Sequence, residues 1–312
     1  MGRSPVFGEA GLADSLITRH TPACEPVREH VHECVTRAKA DCSCNSYRKA
    51  ATSKPMSSDQ KSAAVIAIGD ELLSGRTRDA NLHYLAGWLT ARGINLREAR
   101  VIPDEHETIM RTVNELRART DYLFTSGGIG PTHDDITADA IAAAFDLPIE
   151  ENTEAITVMQ EYYTGRGEAL NPGRHRMARM PKGATLVHNE VNGPPGFQIG
   201  NVFVLAGVPA IFRSMLTDID ARLSHGPVSK AYTVKGPAIE SALSEGLGIL
   251  QSRNPDVSIG SYPGKSGRRG TLSVVSRGLD ELKVRGVALE IVALMNEKGY
   301  QATLEEGDGG TE

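Results

Sequence analysis

The chain has 312 residues and a formal net charge of -5 at pH 7. This length allows one large α/β domain plus a smaller one, and the acidic balance argues against a nucleic-acid binder that relies on a basic surface. No apolar run approaches the roughly 18 to 20 residues that span a bilayer, so we expect a soluble protein without a membrane partner.

Residues 1–60 are predicted to be a poorly ordered extension, because they combine scattered prolines and polar clusters with weak periodicity. An alternative hypothesis is that translation begins at Met56. The extension has no apolar stretch of the kind found in secretory signals, so we expect a cytoplasmic protein. It also holds all the cysteines, Cys24, Cys34, Cys42 and Cys44, which excludes a disulfide-built core and a thiol nucleophile in the body. A metal site from these cysteines and the nearby His30 and His32 is the less favoured interpretation, since the spacing differs from usual zinc pairs.

The body begins with Ala63–Ile68, a continuous apolar run of strand length. Such a run is typical of a strand buried on both faces of a parallel sheet. It ends in the loop Gly69–Gly75, and a helix with one apolar face follows and stops at Gly93. The next predicted elements are a strand near 96–102, a helix near 105–119 and a strand over 122–125. This alternation predicts a doubly wound, mostly parallel α/β sheet, in which ligands bind beyond the carboxyl ends of the strands.

The stretch Thr125–Thr137 is the most informative part of the chain. It places three glycines, Gly127, Gly128 and Gly130, between a predicted strand and a predicted helix. Glycines let backbone amides approach a ligand closely, and the start of a helix favours an anion, so this turn is a predicted phosphate cradle. The adjacent carboxylates Asp134 and Asp135 suit a divalent cation held between protein and phosphate. The alternative is that these carboxylates only complement the helix dipole and the glycines only form a tight turn.

Residues 151–181 are predicted to form a polar helical stretch. Its basic segment Asn171–Arg176 could meet a phosphate across the crevice, although a solvated helix face is the more common outcome for such charges. A turn over Asn189–Gly196 then precedes the buried strand Val202–Leu205 and an amphipathic helix. Neither a P-loop nor a G-x-G-x-x-G fingerprint is present, so the phosphate site must belong to another class.

The domain boundaries predicted from these patterns are 61–225 for the large domain and 226–304 for a small α+β domain. The small domain shows a β-α-β-β-α order, with a closing helix rich in apolar residues near 284–294. The acidic, Gly-rich residues 305–312 are predicted to be a disordered tail.

Three motifs, in this order, resemble the molybdopterin-binding (MoaB/Mog-like) domain: Ile68–Gly75, Thr125–Thr137, and the pair Asn192–Gly196 and Ala206–Pro209. The resemblance is strongest to CinA-like competence/damage-inducible proteins and to the N-terminal half of eukaryotic FAD synthases, and it covers about residues 63–223. It implies a nucleotide or pterin (pyro)phosphate ligand over the glycine turn and assembly as a homo-oligomer. The chain ends before the C-terminal amidohydrolase domain of full-length CinA, so we do not expect nicotinamide-nucleotide deamidation.

The function implied by this resemblance is a metal-dependent nucleotide pyrophosphatase acting on ADP-ribose or FAD-type substrates, with Mg²⁺ or Co²⁺ as cofactor. Two alternatives stay open: molybdopterin binding or adenylylation in molybdenum cofactor biosynthesis, and a non-catalytic ligand-binding regulator. The predicted catalytic and metal-binding residues are Asp134, Asp135 and Asp70. The predicted substrate-binding residues are Ser126, Gly127, Gly128, Gly130, Thr132, Thr137, Glu71, Asp79, Asn81, Asn192 and Gly207. Thr132, Asp79 and Asn81 could instead only begin their helices.

Overall fold

The computed structural model describes residues 60–264 and 271–308. These residues belong to one compact unit, Lys54–Glu312. The predictions made for residues 1–59, which are the poorly ordered extension, the translation start and the Cys/His metal alternative, lie outside the described residues.

The larger part of this unit is built on a six-stranded sheet. Its strands are β1 (Ser62–Ile68), β2 (Asn95–Ile102), β3 (Tyr122–Ser126), β6 (Thr185–Val187), β7 (Gly196–Ile199) and β8 (Val202–Leu205). They have the order β2-β1-β3-β8-β7-β6, in which β2, β1, β3 and β8 run parallel and β7 and β6 continue the sheet antiparallel. The helices between them are α1 (Asp70–Leu73), α2 (Asn81–Thr90), α3 (His106–Arg117), α4 (Thr137–Ala144), α5 (Thr153–Thr164), α6 (Pro172–Arg176) and α7 (Pro209–Ile219).

Alternate residues of β1 enter two different cores. Ala64 and Ile66 pack with residues of α3 and α4, whereas Ala63 and Val65 pack with residues of α2 and α7. A strand buried on both faces needs apolar residues at every position, which is why the first apolar run is continuous rather than alternating. The predicted doubly wound, mostly parallel sheet is confirmed.

A small two-stranded sheet was not predicted from the sequence. β4 (Ile149–Glu151) pairs antiparallel with β5 (Arg179–Pro181), so the two ends of the polar helical stretch lie side by side. This stretch is two helices, α5 and α6, rather than one. Asn152 and Asn171 accept hydrogen bonds from Ala155 N and Arg174 N and so cap α5 and α6.

The C-terminal residues form a four-stranded antiparallel sheet with the order β10-β11-β9-β12 and their own core. Its elements are β9 (Lys230–Gly236), α8 (Glu240–Arg253), β10 (Ser258–Pro263), β11 (Leu272–Gly278), α9 (Glu281–Glu297) and β12 (Thr303–Glu306). This small sheet with its two helices is the α+β arrangement expected from the sequence. The domain boundary between residues 225 and 226 stays a prediction.

The prediction of a disordered tail from residue 305 is wrong for residues 305–308. Glu305 and Glu306 are part of β12, which pairs with β9. Lys235 Nζ lies 2.7 Å from Glu305 Oε2, and Arg277 Nη2 lies 2.7 Å from Asp308 Oδ2. Glu305 and Asp308 therefore form ion pairs with basic residues of β9 and β11, and composition alone does not reveal these pairs.

Candidate functional site

A cavity of about 570 Å³ opens at the carboxyl edge of the parallel sheet. The loops after β1, β3 and β8 line it, as the ligand rule for open α/β sheets predicts. Its size is within the range usual for small-molecule sites. The residues from these three loops are Ile68, Gly69, Glu71, Gly127, Gly128, Ile129, Gly130, Pro131, Asp134, Asp135, Ala206, Gly207, Val208 and Pro209.

In the glycine loop, residues 127–130, the first two positions require glycine, because of their backbone angles and because a Cβ atom there would clash with neighbouring atoms. Gly127 and Gly128 have φ angles of 107° and 68°, which disfavour other residues. A Cβ atom at Gly127 would lie 2.3 Å from the Ile68 carbonyl oxygen, and one at Gly128 would lie 2.1 Å from Thr137 Oγ1. The buried Thr137 donates its hydroxyl to the Gly127 carbonyl (3.1 Å) and its amide to the Gly128 carbonyl (3.0 Å). The predicted ligand contact Thr137 is therefore an internal support of the loop.

The three predicted glycine amides are not equally available to a ligand. The Gly127 amide donates to the Leu205 carbonyl (3.2 Å), and the Gly130 amide donates to Asp135 Oδ1 (2.6 Å). Within the described residues, no hydrogen bond occupies the amide of Gly128 or that of Ile129. Of the three glycines predicted to bind an anion, Gly128 is therefore the one whose amide has no internal acceptor within the described residues.

Asp135 has a structural role that the sequence did not reveal. Its carboxylate accepts hydrogen bonds from the amides of Gly130 and Thr132 (2.6 and 2.8 Å) and from the Thr132 hydroxyl (2.5 Å). Thr132 does not line the cavity, so its hydroxyl serves the loop rather than a ligand. Asp134 is different: it lines the cavity, and about two thirds of its side chain is exposed. Of the two adjacent carboxylates, Asp134 is the more exposed to the cavity, and the Thr132 hydroxyl holds the pKa of its carboxyl below the usual value.

Asp104 lines the cavity and was missed by the sequence analysis. Its Oδ2 accepts a hydrogen bond from the amide of Asp70 (3.0 Å). Burial raises the pKa of the Asp104 carboxyl, and the carboxylates of Asp70, Glu71 and Asp134 raise it further. Asp104 follows β2 directly, so the rule that points to carboxyl ends of strands could have found it.

The structure places the other predicted residues in two groups. Glu71, Asn192 and Gly207 line the cavity, as expected. Four others do not line it: Asp70, Asp79, Asn81 and Ser126. Asp79 Oδ1 accepts from the Leu82 amide (2.7 Å) near the start of α2. The side-chain amide of the buried Asn81 donates to Ser126 Oγ (2.8 Å) and to the Gly207 carbonyl (2.7 Å), which ties the ends of β3 and β8 together beneath the cavity.

Within the described residues, no three His, Cys, Asp or Glu side chains converge in a way that could hold a metal ion. Asp70, Asp134 and Asp135 are therefore not a pre-formed three-ligand set, and their catalytic and metal-binding role stays a prediction. Among the described helices, none is long and apolar enough to cross a membrane.

Comparison with known proteins gives the family. The model described as "Probable molybdopterin binding domain" matches residues 64–225, which is just over half of the chain. A protein of Archaeoglobus fulgidus is 31% identical over 234 residues, which cover 75% of this chain and 98% of that protein. A CinA-like protein of Anaeromyxobacter dehalogenans is 34% identical over 174 residues, which cover 53% of this chain and only 43% of that protein.

Among solved structures, the protein CinA of Thermoplasma acidophilum, described as having unknown function, is 29% identical. The match has a TM-score of 0.48 and covers 52% of this chain and 98% of that chain. The motifs around Gly69, Gly127 and Gly207 that carried the resemblance all lie inside the matched range. The family model shows that the chain belongs to the molybdopterin-binding (MoaB/Mog-type) domain family, and CinA-like proteins are among its relatives.

Proposed function

We propose that the cavity binds the phosphate groups of a nucleotide or pterin and that the protein hydrolyses the pyrophosphate bond of an ADP-ribose or FAD-type substrate. One observation carries this proposal. Gly128 and Ile129, whose amides donate no hydrogen bond within the described residues, line the same cavity as three acidic residues, Glu71, Asp104 and Asp134. An anion cradle beside acidic side chains suits a phosphate ligand that brings a divalent cation with it.

The donor set fits a cation that is shared with the substrate better than a resident one. Mg²⁺ is usually held by one or two carboxylates, several waters and substrate phosphates. The carboxylates that would hold it are Asp134 and Glu71, with Asp70 close by and Asp135 limited by its three internal hydrogen bonds. The raised pKa of Asp104 reflects burial and like charges that a cation would relieve. When bound, the cation would neutralise charge on the bridging phosphates.

The chain's own groups would position the substrate and move the proton. The amides of Gly128 and Ile129 orient one phosphate group, as fixed backbone dipoles do in other phosphate sites. Asp104 Oδ1 makes no hydrogen bond within the described residues, whereas its Oδ2 is occupied by the Asp70 amide. A raised pKa makes Asp104 Oδ1 a better proton acceptor, so we assign it the proton of the attacking water.

The cavity also has apolar lining residues. They include Met177, Pro194, Pro195, Ile211 and Met215. Mostly apolar walls with a few polar groups are usual for cofactor sites. A ligand that combines a heterocycle with a diphosphate suits such a mixed lining.

The test is incubation of the purified protein with ADP-ribose or FAD and Mg²⁺ or Co²⁺, with AMP measured by chromatography. We expect metal-dependent AMP release that falls at least about 100-fold in Asp104→Asn, in line with loss of a proton acceptor. A matched control is Asp79→Asn, which removes a carboxylate near α2 that does not line the cavity. No AMP with any metal would contradict the proposed hydrolysis.

A second function is favoured by the family match: binding or adenylylation of molybdopterin in cofactor biosynthesis. It uses the same phosphate cradle, so tight molybdopterin binding without AMP release would support it. Ligand binding without turnover of either kind would favour a non-catalytic regulator. Assembly as a homo-oligomer is a further prediction, which mass measurement in solution can test.

A further inference from the structure

Arg176 is the basic residue of the Asn171–Arg176 segment that reaches the glycine loop. It lies at the end of α6, and its Nη2 donates to the main-chain carbonyl of Asp135 (3.2 Å). The carboxylate of the same Asp135 holds Gly130 and Thr132. Arg176 therefore contacts the main chain of Asp135, the residue whose carboxylate fixes the glycine loop.

The charge of Arg176 is only weakly neutralised. Asp139 is the nearby carboxylate, but it is paired closely with Arg179, whose Nη2 lies 2.6 Å from Asp139 Oδ1 and whose Nη1 lies 3.3 Å from Oδ2. The distance from Arg176 Nη2 to Asp139 Oδ2 is 3.9 Å. One carboxylate thus serves two guanidinium groups, and within the described residues Arg176 has no carboxylate partner closer than 3.9 Å.

A second feature is the Nε atom of Arg176, which is buried and has no hydrogen-bond partner. A buried donor without an acceptor lowers the stability of the fold, and most buried polar groups in folded proteins have a protein or water partner. Next to Arg176 is a small hole of about 20 Å³ that is also lined by Gly128, Ile129 and Gly130. A hole of this size has room for one water molecule, which would link the guanidinium to the loop.

We propose that Arg176 is a positioning residue for the anion site: its guanidinium holds the loop through Asp135 and supplies the positive charge behind the phosphate cradle. This inference rests on the proposed function, because it requires an anionic ligand on Gly128. Glu71, Asp104 and Asp134 line the cavity itself. Arg176 does not line it, but shares the small hole with Gly128, Ile129 and Gly130.

The experiment measures dissociation constants by calorimetry for ADP, AMP and adenosine at fixed Mg²⁺. We expect Arg176→Met to weaken ADP binding about tenfold, AMP less, and adenosine not at all, because only the phosphates respond to the charge. Arg176→Lys, which keeps the charge but not the fork geometry, is expected to lose part of the ADP affinity. The matched control is Arg166→Met, since Arg166 stacks on Tyr162, 3.7 Å from the ring centre, and lines neither the cavity nor the small hole beside the glycine loop.

The outcomes separate this inference from the proposed function. Equal losses for ADP and adenosine would show a general structural defect and would overturn the inference, as would unchanged ADP affinity. If Arg176→Met does not fold, the ratio of ADP to adenosine affinity in Arg176→Lys decides. Wild-type protein that binds neither ADP nor ADP-ribose would contradict the proposed function itself.

Discussion

Replacement of Asp135 by alanine tests whether this residue supports the loop or binds a metal. The substitution removes three hydrogen bonds to a charged acceptor, from Gly130 N, Thr132 N and Thr132 Oγ1. Such bonds contribute about 1.5–3 kcal/mol each when buried. Because Thr132 is exposed and water can replace its bonds, we expect a total of about 1.5–3 kcal/mol. For a unit of this size the melting temperature should fall by about 3–10 °C.

The assay is thermal unfolding without ligand, followed by circular dichroism, with Asp134→Ala as the matched control. Asp134 is largely exposed, so its removal should leave the melting temperature nearly unchanged while it weakens metal-dependent turnover. An Asp135→Ala protein with wild-type melting temperature and no turnover would refute the structural role. It would return Asp135 to the metal site predicted from the sequence.

Three further predictions concern neighbouring groups. Asp104→Asn should raise the melting temperature at pH 7, because the raised pKa of Asp104 means that its ionised form costs stability; the gain should vanish as the pH falls below about 4, where the carboxyl is protonated even in the unfolded chain. Asp121→Asn should act in the opposite direction. The hydrogen bond from the Ser62 amide is the main reason why the pKa of Asp121 is lowered to about 2, so its carboxylate stabilises the fold above about pH 4. Denaturation at pH 7 should therefore show a loss of about 1 kcal/mol in the free energy of unfolding, allowing for exposure of the side chain, and this loss should disappear towards pH 2. Gly128→Ala should lower stability even without ligand, since its Cβ would meet Thr137 Oγ1; an unchanged melting temperature would show that the loop has room there.

The sequence predicted the parallel sheet well because its signals are local. Continuous apolar runs such as Ala63–Ile68 and Val202–Leu205 are typical of buried strands, and both occur as β1 and β8 within one residue at each end. The short strands β4 and β12 carry glutamates and no alternation, so nothing local marks them. They form because β5 and β9 offer a pairing edge, which is a tertiary effect.

The site was predictable in position but not in detail. The glycine loop and its neighbouring carboxylates follow from motif and topology. The division of labour between Asp134 and Asp135 depends on which carboxylate turns back to the Gly130 amide, and spacing does not show that. Asp104 is separated from the glycine loop by more than twenty residues, and only the pairing of β2 with β1 brings it to the same edge.

A crystal structure of the protein with ADP-ribose and Mg²⁺ would test the proposed phosphate site most directly. We predict a diphosphate against the amides of Gly128 and Ile129, with the cation between the phosphates and Asp134. A substrate bound elsewhere, with its phosphates away from the glycine loop, would contradict it.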